Sequence, residues 1–193
     1  MTYEAVLIGT QTWMAENLNY DVTGSKCHTT SNYNCTTTCG RLYDWATAIV
    51  LSGCNSKLCA SEISEKYRGV CPEGWHIPSD ADWNVLIKVV DPSCSDKTRC
   101  DKAGTKLKAT SGWSNSNNGT PKGTDDYGFS ARACGNSVAS RFYSAGISTL
   151  WWSASEYNDK QAYYLYMGYD NEDTQRNHDN DKSYFFSARC VKD

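Results

Sequence analysis

Cys71-Pro-Glu-Gly-Trp-His-Ile-Pro78-Ser-Asp-Ala-Asp-Trp83-Asn-Val-Leu-Ile-Lys-Val-Val90 is the stretch that decides the fold. Ile77 stands before a proline, whose ring disfavours helical geometry at the preceding residue, so the chain enters Pro78 extended. Ser79 offers a side-chain oxygen to the first free backbone N–H groups of a helix, and Asp82, three positions on, supplies a weak capping box. Asp80 and Asp82 place negative charge at the positive end of the helix dipole. Trp83, Leu86, Ile87 and Val90 recur at i, i+3, i+4 and i+7, so one apolar face must be buried. Asp91-Pro92 stops the helix. Cys71 is expected to tie this element to a distant strand, with the rest of the chain packed on it.

Outward from that helix, the 193 residues suffice for one domain with a real core, and no linker or internal repeat divides 1–193. The net charge is −3 and the 19 basic residues form no cluster, which argues against nucleic acid as a partner. No apolar run approaches the roughly 18 residues of a membrane span. No signal peptide opens the chain, which places any export signal upstream of it. The ten cysteines are the strongest compositional fact. Cys35-x3-Cys39 and Cys54-x4-Cys59 lack a second Cys or His pair at zinc spacing, and His28, His76 and His178 are scattered. Disulfides are therefore expected, and with them a secreted or surface-exposed protein. Seven Trp and 13 Tyr supply both core and a potential binding face.

Ala5–Ile8, Gly9-Thr10 and Gln11–Met14 read as a hairpin with a glycine turn. Ala15–Tyr20 continues as strand or loop. Residues 21–40 are too polar to bury a core, and Cys27 and Cys35 are spaced to staple them. A short helix is expected from about Asp44 to Leu51, with Trp45, Ala48 and Ile49 facing in. Cys54 and Cys59 pin the next loop, and Cys94 and Cys100 form a third local pair. Ala103–Ala109 reads as a short helix and 111–128 as a long loop docked by Tyr127-Gly-Phe129. Ala133–Tyr143 is weakly patterned. Thr149–Ser153 and Gln161–Met167 read as strands, Asp170–Lys182 as a polar turn and Tyr184–Val191 as the last strand. In Gln161–Met167, Tyr164 and Tyr166 share one face, with Tyr163, Leu165 and Met167 on the other. Helices early and an antiparallel sheet late give an α+β class.

Several strings together resemble the Fibrobacter succinogenes major paralogous domain. They are Ile8-Gly-Thr-Gln-Thr-Trp-Met-Ala-Glu-Asn-Leu18, Gly40-Arg-Leu-Tyr-Asp-Trp45, Gly69-Val-Cys-Pro-Glu-Gly-Trp-His-Ile-Pro78, Ala103-Gly-Thr-Lys-Leu-Lys108, Gly123-Thr-Asp-Asp-Tyr-Gly-Phe-Ser130, Trp152-Ser-Ala-Ser-Glu156 and Phe186-Ser-Ala-Arg-Cys-Val-Lys-Asp193. The resemblance covers nearly the whole chain and implies a secreted or cell-surface domain of fibre-degrading and gut bacteria. Trp-His-Ile-Pro-Ser-Asp-Ala-Asp-Trp83 is more distantly similar to a segment of formylglycine-generating enzymes, which implies a C-type-lectin-like single domain with long disulfide-stapled loops. The same resemblance favours a long-range Cys71–Cys190 bridge, leaving Cys39 with Cys134.

Candidate chemistry is thinner. His76 is the best-placed base, yet no Gly-x-Ser-x-Gly elbow accompanies it, so it reads as structural. No cysteine matches the copper-binding pair of formylglycine-generating enzymes. A glycosidase needs two converging carboxylates, and Asp125, Asp126, Glu156, Asp170, Glu172 and Asp173 are available without a pattern that converges them. Calcium takes about six to eight oxygens, which Asp170, Glu172, Asp173, Asp179 and Asp181 would supply just before the last strand; a solvated acidic turn is the plainer reading. Sugar stacking needs solvent-facing rings, for which Trp151, Tyr163, Trp113 and Tyr20 stand out, with Asp125 and Asp126 as polar partners. Trp151 and Trp152 point to opposite sides of one strand, so Trp152 is expected in the core and Trp151 at the surface. The reading favours a non-catalytic extracellular module binding polysaccharide, ahead of a polysaccharide-active or metal-dependent enzyme and of a structural surface protein that binds other proteins.

Overall fold

The computed structural model describes residues 2–28, 33–35, 39–94, 98–115 and 123–193. The first hairpin forms as its alternation requires: β1 (Ala5–Ile8) pairs with β2 (Gln11–Met14). Gly9 turns it at φ +62°, where a side chain would be strained and would also press on Val89. After β3 (Leu42–Tyr43), Asp44 caps α1 (Trp45–Ile49) by accepting from the Thr47 N–H, and Trp45, Ala48 and Ile49 are buried. Next come β4 (Trp75–His76) and α2 (Asp80–Val90). The capping box at α2 is complete, because Ser79 accepts from Asp82 N–H while Asp82 accepts from Ser79 N–H. Its buried residues are Trp83, Leu86, Ile87 and Val90, the expected face.

The remaining elements are β5 (Arg99–Cys100), α3 (Ala103–Leu107), β6 (Cys134–Val138), β7 (Arg141–Ala145), β8 (Ser148–Glu156), β9 (Ala162–Gly168), β10 (Thr174–Asn177), β11 (Phe186–Ser187) and β12 (Val191–Lys192). The small sheet runs β1-β2-β12-β4. The large one runs β3-β11-β8-β9-β10-β5, with β6 against β8 and β7 against β6. The class is α+β, mostly sheet, with few short helices. The sheet is mixed rather than antiparallel throughout, since β11 and β6 both lie parallel to β8.

Strands β8 and β9 separate two cores. Trp152 and Tyr164 face one core, with Tyr43, Trp45 and Phe186. Trp151, Leu165 and Met167 face the other, with Trp13, Trp83 and Phe129. A strand covered on both faces explains the unbroken apolar run Leu150-Trp-Trp152. Three of the buried indole N–H groups find acceptors, Trp151 on Asn17 Oδ1, Trp152 on the Tyr43 carbonyl and Trp45 on the Ser153 carbonyl, all at 2.8 Å, whereas the Trp83 N–H is buried without one. Arg189 is buried in the second core, donating to Asn17 Oδ1 at 2.7 Å and lying 4.2 Å over the Phe129 ring. Burial draws its pKa down to about 9, against the charges of Asp125 and Glu16.

All ten cysteines are paired as read: Cys27–Cys35, Cys39–Cys134, Cys54–Cys59, Cys71–Cys190 and Cys94–Cys100. Ala15–Tyr20, expected as strand or loop, is a loop. The weakly patterned Ala133–Tyr143 contains β6 and most of its partner β7, a hairpin whose alternation is too polar to read. The turn expected over Asp170–Lys182 contains β10, and the last strand is two short ones, β11 in the large sheet and β12 in the small. Of the loop expected over 111–128, residues 116–122 lie outside the described residues, as do 29–32 and 36–38 of the loop at 21–40. No helix among the described residues is long and apolar enough to cross a membrane.

Candidate functional site

The β8–β9 turn gathers three rings, exposed Tyr157 and half-buried Tyr163 and His178. Asn158 Oδ1 accepts from the backbone N–H groups of Lys160 and Gln161 at 2.8 Å, the side-chain mimicry that suits Asn to tight turns. Tyr157 leaves β8, Tyr163 lies on β9, and His178 follows β10, which pairs with β9 through Asn177 and Tyr164. The Tyr157 ring therefore stacks on His178 at 3.7 Å and 21°, and Tyr163 meets both edge-on at 5.2 and 5.7 Å. Tyr157 remains 48% exposed. His178 also faces the first turn of α2. There burial raises the Asp80 pKa, while Arg176, 2.6 Å away, and His178 pull it down.

Two cavities are lined by the residues that precede and follow Tyr157 in the chain. The polar one, about 470 Å³, is lined by Asn158, Lys160, Gln161, Asp179, Asp181 and Tyr184. Gln161 Nε2 donates to the Asp179 carbonyl at 3.2 Å, and Tyr164 OH donates to the Asp179 carboxylate. The second, about 410 Å³, is lined by Ile63, Ser64, Glu65, Ala81, Ala154 and Ser155, with Glu156 behind them. A buried ion pair bonds residues of both linings, Lys182 Nζ lying 2.5 Å from Glu156 Oε1 and 3.3 Å from the Asp159 carbonyl, with side chains 0% and 1% exposed. Glu156 also accepts from Cys59 N–H at 2.9 Å and Ala60 N–H at 2.7 Å. Rings beside amides and carboxylates can stack on the apolar face of a pyranose while bonding its hydroxyls.

Of the rings proposed from sequence, Tyr163 belongs to this cluster. Trp151 does not: it is fully buried, because β8 is covered on both faces. Trp113 is also buried, its N–H on the Ala131 carbonyl at 2.9 Å and Lys108 Nζ 5.0 Å over its ring. Burial lowers the Lys108 pKa to about 8, against Asp173, Asp170 and Glu172. Tyr20 is exposed, in a separate cleft of about 440 Å³ with Tyr3, Arg68 and Glu73. Asp125 closes a turn by accepting from Ser130 N–H at 2.7 Å; neither it nor Asp126 lines a cavity at the β8–β9 turn.

The calcium set is not brought together. Strand β10 parts Asp170, Glu172 and Asp173 from Asp179 and Asp181. Asp173 is ion-paired to Arg99, and Asp181 accepts from Ser183 N–H at 2.8 Å. Among the described residues, the one group of three potential ligands within 4.8 Å is Cys54, Cys59 and Glu62, whose cysteines are spent on a disulfide. Among the carboxylates considered for hydrolysis, Glu156 and Asp173 are held in ion pairs. His76 is buried between Asp193, 2.7 Å from Nδ1, and Asp82, 3.6 Å from Nε2. Burial acts to lower its pKa, but hydrogen bonds to Asp82 and Asp193 outweigh it and the net shift is upward.

Sequence reasoning missed Tyr157 and His178. Tyr157 sits just past a strand and its role needs a partner from β10, an element hidden inside an acidic run. The clue on the page was the closeness of two tyrosines, 157 and 163, around a turn.

Neither a curated protein nor a solved structure matches the chain. The model of the Fibrobacter succinogenes major domain (Fib_succ_major) matches residues 6–192, and the chain belongs to that family.

Proposed function

We propose that this chain, read as a single module over 1–193 with a C-type-lectin-like fold, is a secreted or cell-surface recognition domain. It binds plant cell-wall polysaccharide without turning it over. The observation that carries the reading is the half-exposed Tyr157 ring, stacked on His178, with the next residues of both segments lining a cavity of amides and carboxylates. Full pairing of ten cysteines supports an oxidising location. Pairing of the opening hairpin with the last strand, together with disulfide-held loops, supports the fold assignment.

Pull-down on cellulose, xylan and mannan tests the proposal. Retention on at least one, weakened about tenfold or more by Tyr157→Ala, is expected. No binding to any glycan on a broad array overturns it. Retention is expected to survive EDTA, because β10 parts the acids once considered for calcium.

A further inference from the structure

We infer that the two cavities and the ring step between them form one track, so that the ligand is an internal stretch of an uncharged linear polysaccharide. This rests on the glycan reading above and goes beyond it by excluding single sugars, chain ends and polyanions.

Chain order carries the first half of the argument. Ser155 and Glu156 line one cavity, Tyr157 follows, and Asn158 to Gln161 line the other. The cavities also share a floor. Lys182 Nζ lies 2.5 Å from Glu156 Oε1, at the first cavity, and 3.3 Å from the Asp159 carbonyl, at the second. Both charged groups are closed to solvent and fully bonded, so the floor is held in one geometry. Tyr157, between the two stretches in the chain, is stacked on His178 yet stays 48% exposed. A ring fixed between two hollows suits a polymer that lays one sugar on the ring and sends neighbours to both sides; a single sugar or chain end would leave one hollow unused.

Charge carries the second half. The track presents Glu65, Asp159, Asp179 and Asp181 against Lys160. That excess of carboxylates repels a uronate polymer and leaves hydroxyls as the groups to be bonded.

The test is titration calorimetry with cello-, xylo- and manno-oligosaccharides from disaccharide to hexasaccharide, plus polygalacturonate. In the responding series, the Kd is expected to fall at least about tenfold from disaccharide to hexasaccharide. Ala81→Trp, which fills the first cavity, and Gln161→Ala, which strips the second, are each expected to remove that gain while thermal midpoints stay at the parent value. A flat ladder, a gain that survives either substitution in a folded variant, or tighter binding of polygalacturonate than of any neutral series overturns the inference and leaves glycan binding standing. Absence of binding to every oligosaccharide and polymer overturns both.

Discussion

The segment from Cys71 to Val90 is held by its own neighbours, whereas the segment from Asp170 to Val191 is held by partners far along the chain. In the first, Ser79 caps Asp82 three residues away and one helical face meets the core. In the second, β10 leans on β9 and β5, Lys182 reaches Glu156, β11 lies between β3 and β8, and β12 between β2 and β4. Local order resists the loss of any one partner. Borrowed order fails wherever its lender is removed, and that contrast can be broken by measurement.

The largest effect should come from the bridge joining the two segments. Replacing Cys71 and Cys190 by Ala opens a closure of sequence separation 119. On loop-closure entropy that costs about 4–5 kcal/mol, against about 2 kcal/mol for the short Cys54–Cys59 loop. Urea unfolding of the two double variants compares them, and equal losses would dissolve the contrast. Next, Lys182→Met leaves the Glu156 carboxylate buried without its cation and should cost about 3–5 kcal/mol by the same assay. Lys182→Met with Glu156→Leu should recover part of that, although Cys59 N–H and Ala60 N–H then lose their acceptor. Within the self-held segment, Ser79→Ala should cost only about 1 kcal/mol.

A smaller effect concerns pH. The His76 pKa is raised in the folded state, so its contribution is present below its unfolded value of about 6.5 and fades as pH climbs through the folded value. At Asp82, burial acts upward but the bonds from His76 and Ser79 win, and the pKa is lowered. Its contribution is present above about pH 3.9 and fades as pH drops through the folded value. Stability should therefore be greatest between about pH 4 and 6.5, and His76→Gln should flatten the alkaline side of the profile. The smallest effect is Tyr157→Ala, expected to move stability by less than about 0.5 kcal/mol while weakening polysaccharide retention.

What could be read in advance follows the same division. The hairpin at 5–14, both capped helices and the buried face of α2 depend on spacings within a few residues, and they stand where periodicity puts them. Cys71–Cys190 was legible because both cysteines lie in strings shared with a family. Strand β10 was not, since Thr174–Asn177 has no apolar alternation and is a strand only because β9 and β5 offer it hydrogen bonds. The pair Trp151 and Trp152 was misjudged for a related reason. Period-two geometry placed them on opposite faces correctly, but how many faces are covered depends on helix α2 and on β11. The site inherits the same difficulty: Tyr163 sat on a readable strand, while His178 reaches it through the unreadable one.

The register between Trp13 and Val191 has a bearing on timing. The opening hairpin cannot complete its sheet until Val191 is free of whatever machine is extruding the chain, and Cys71 must wait as long for Cys190. Such a polypeptide passes through a ribosome or pore as pliable thread and takes form only afterwards, slowly for its size. During that interval its apolar strands lie open to chaperones and proteases, and the rate of oxidation decides how long the interval lasts.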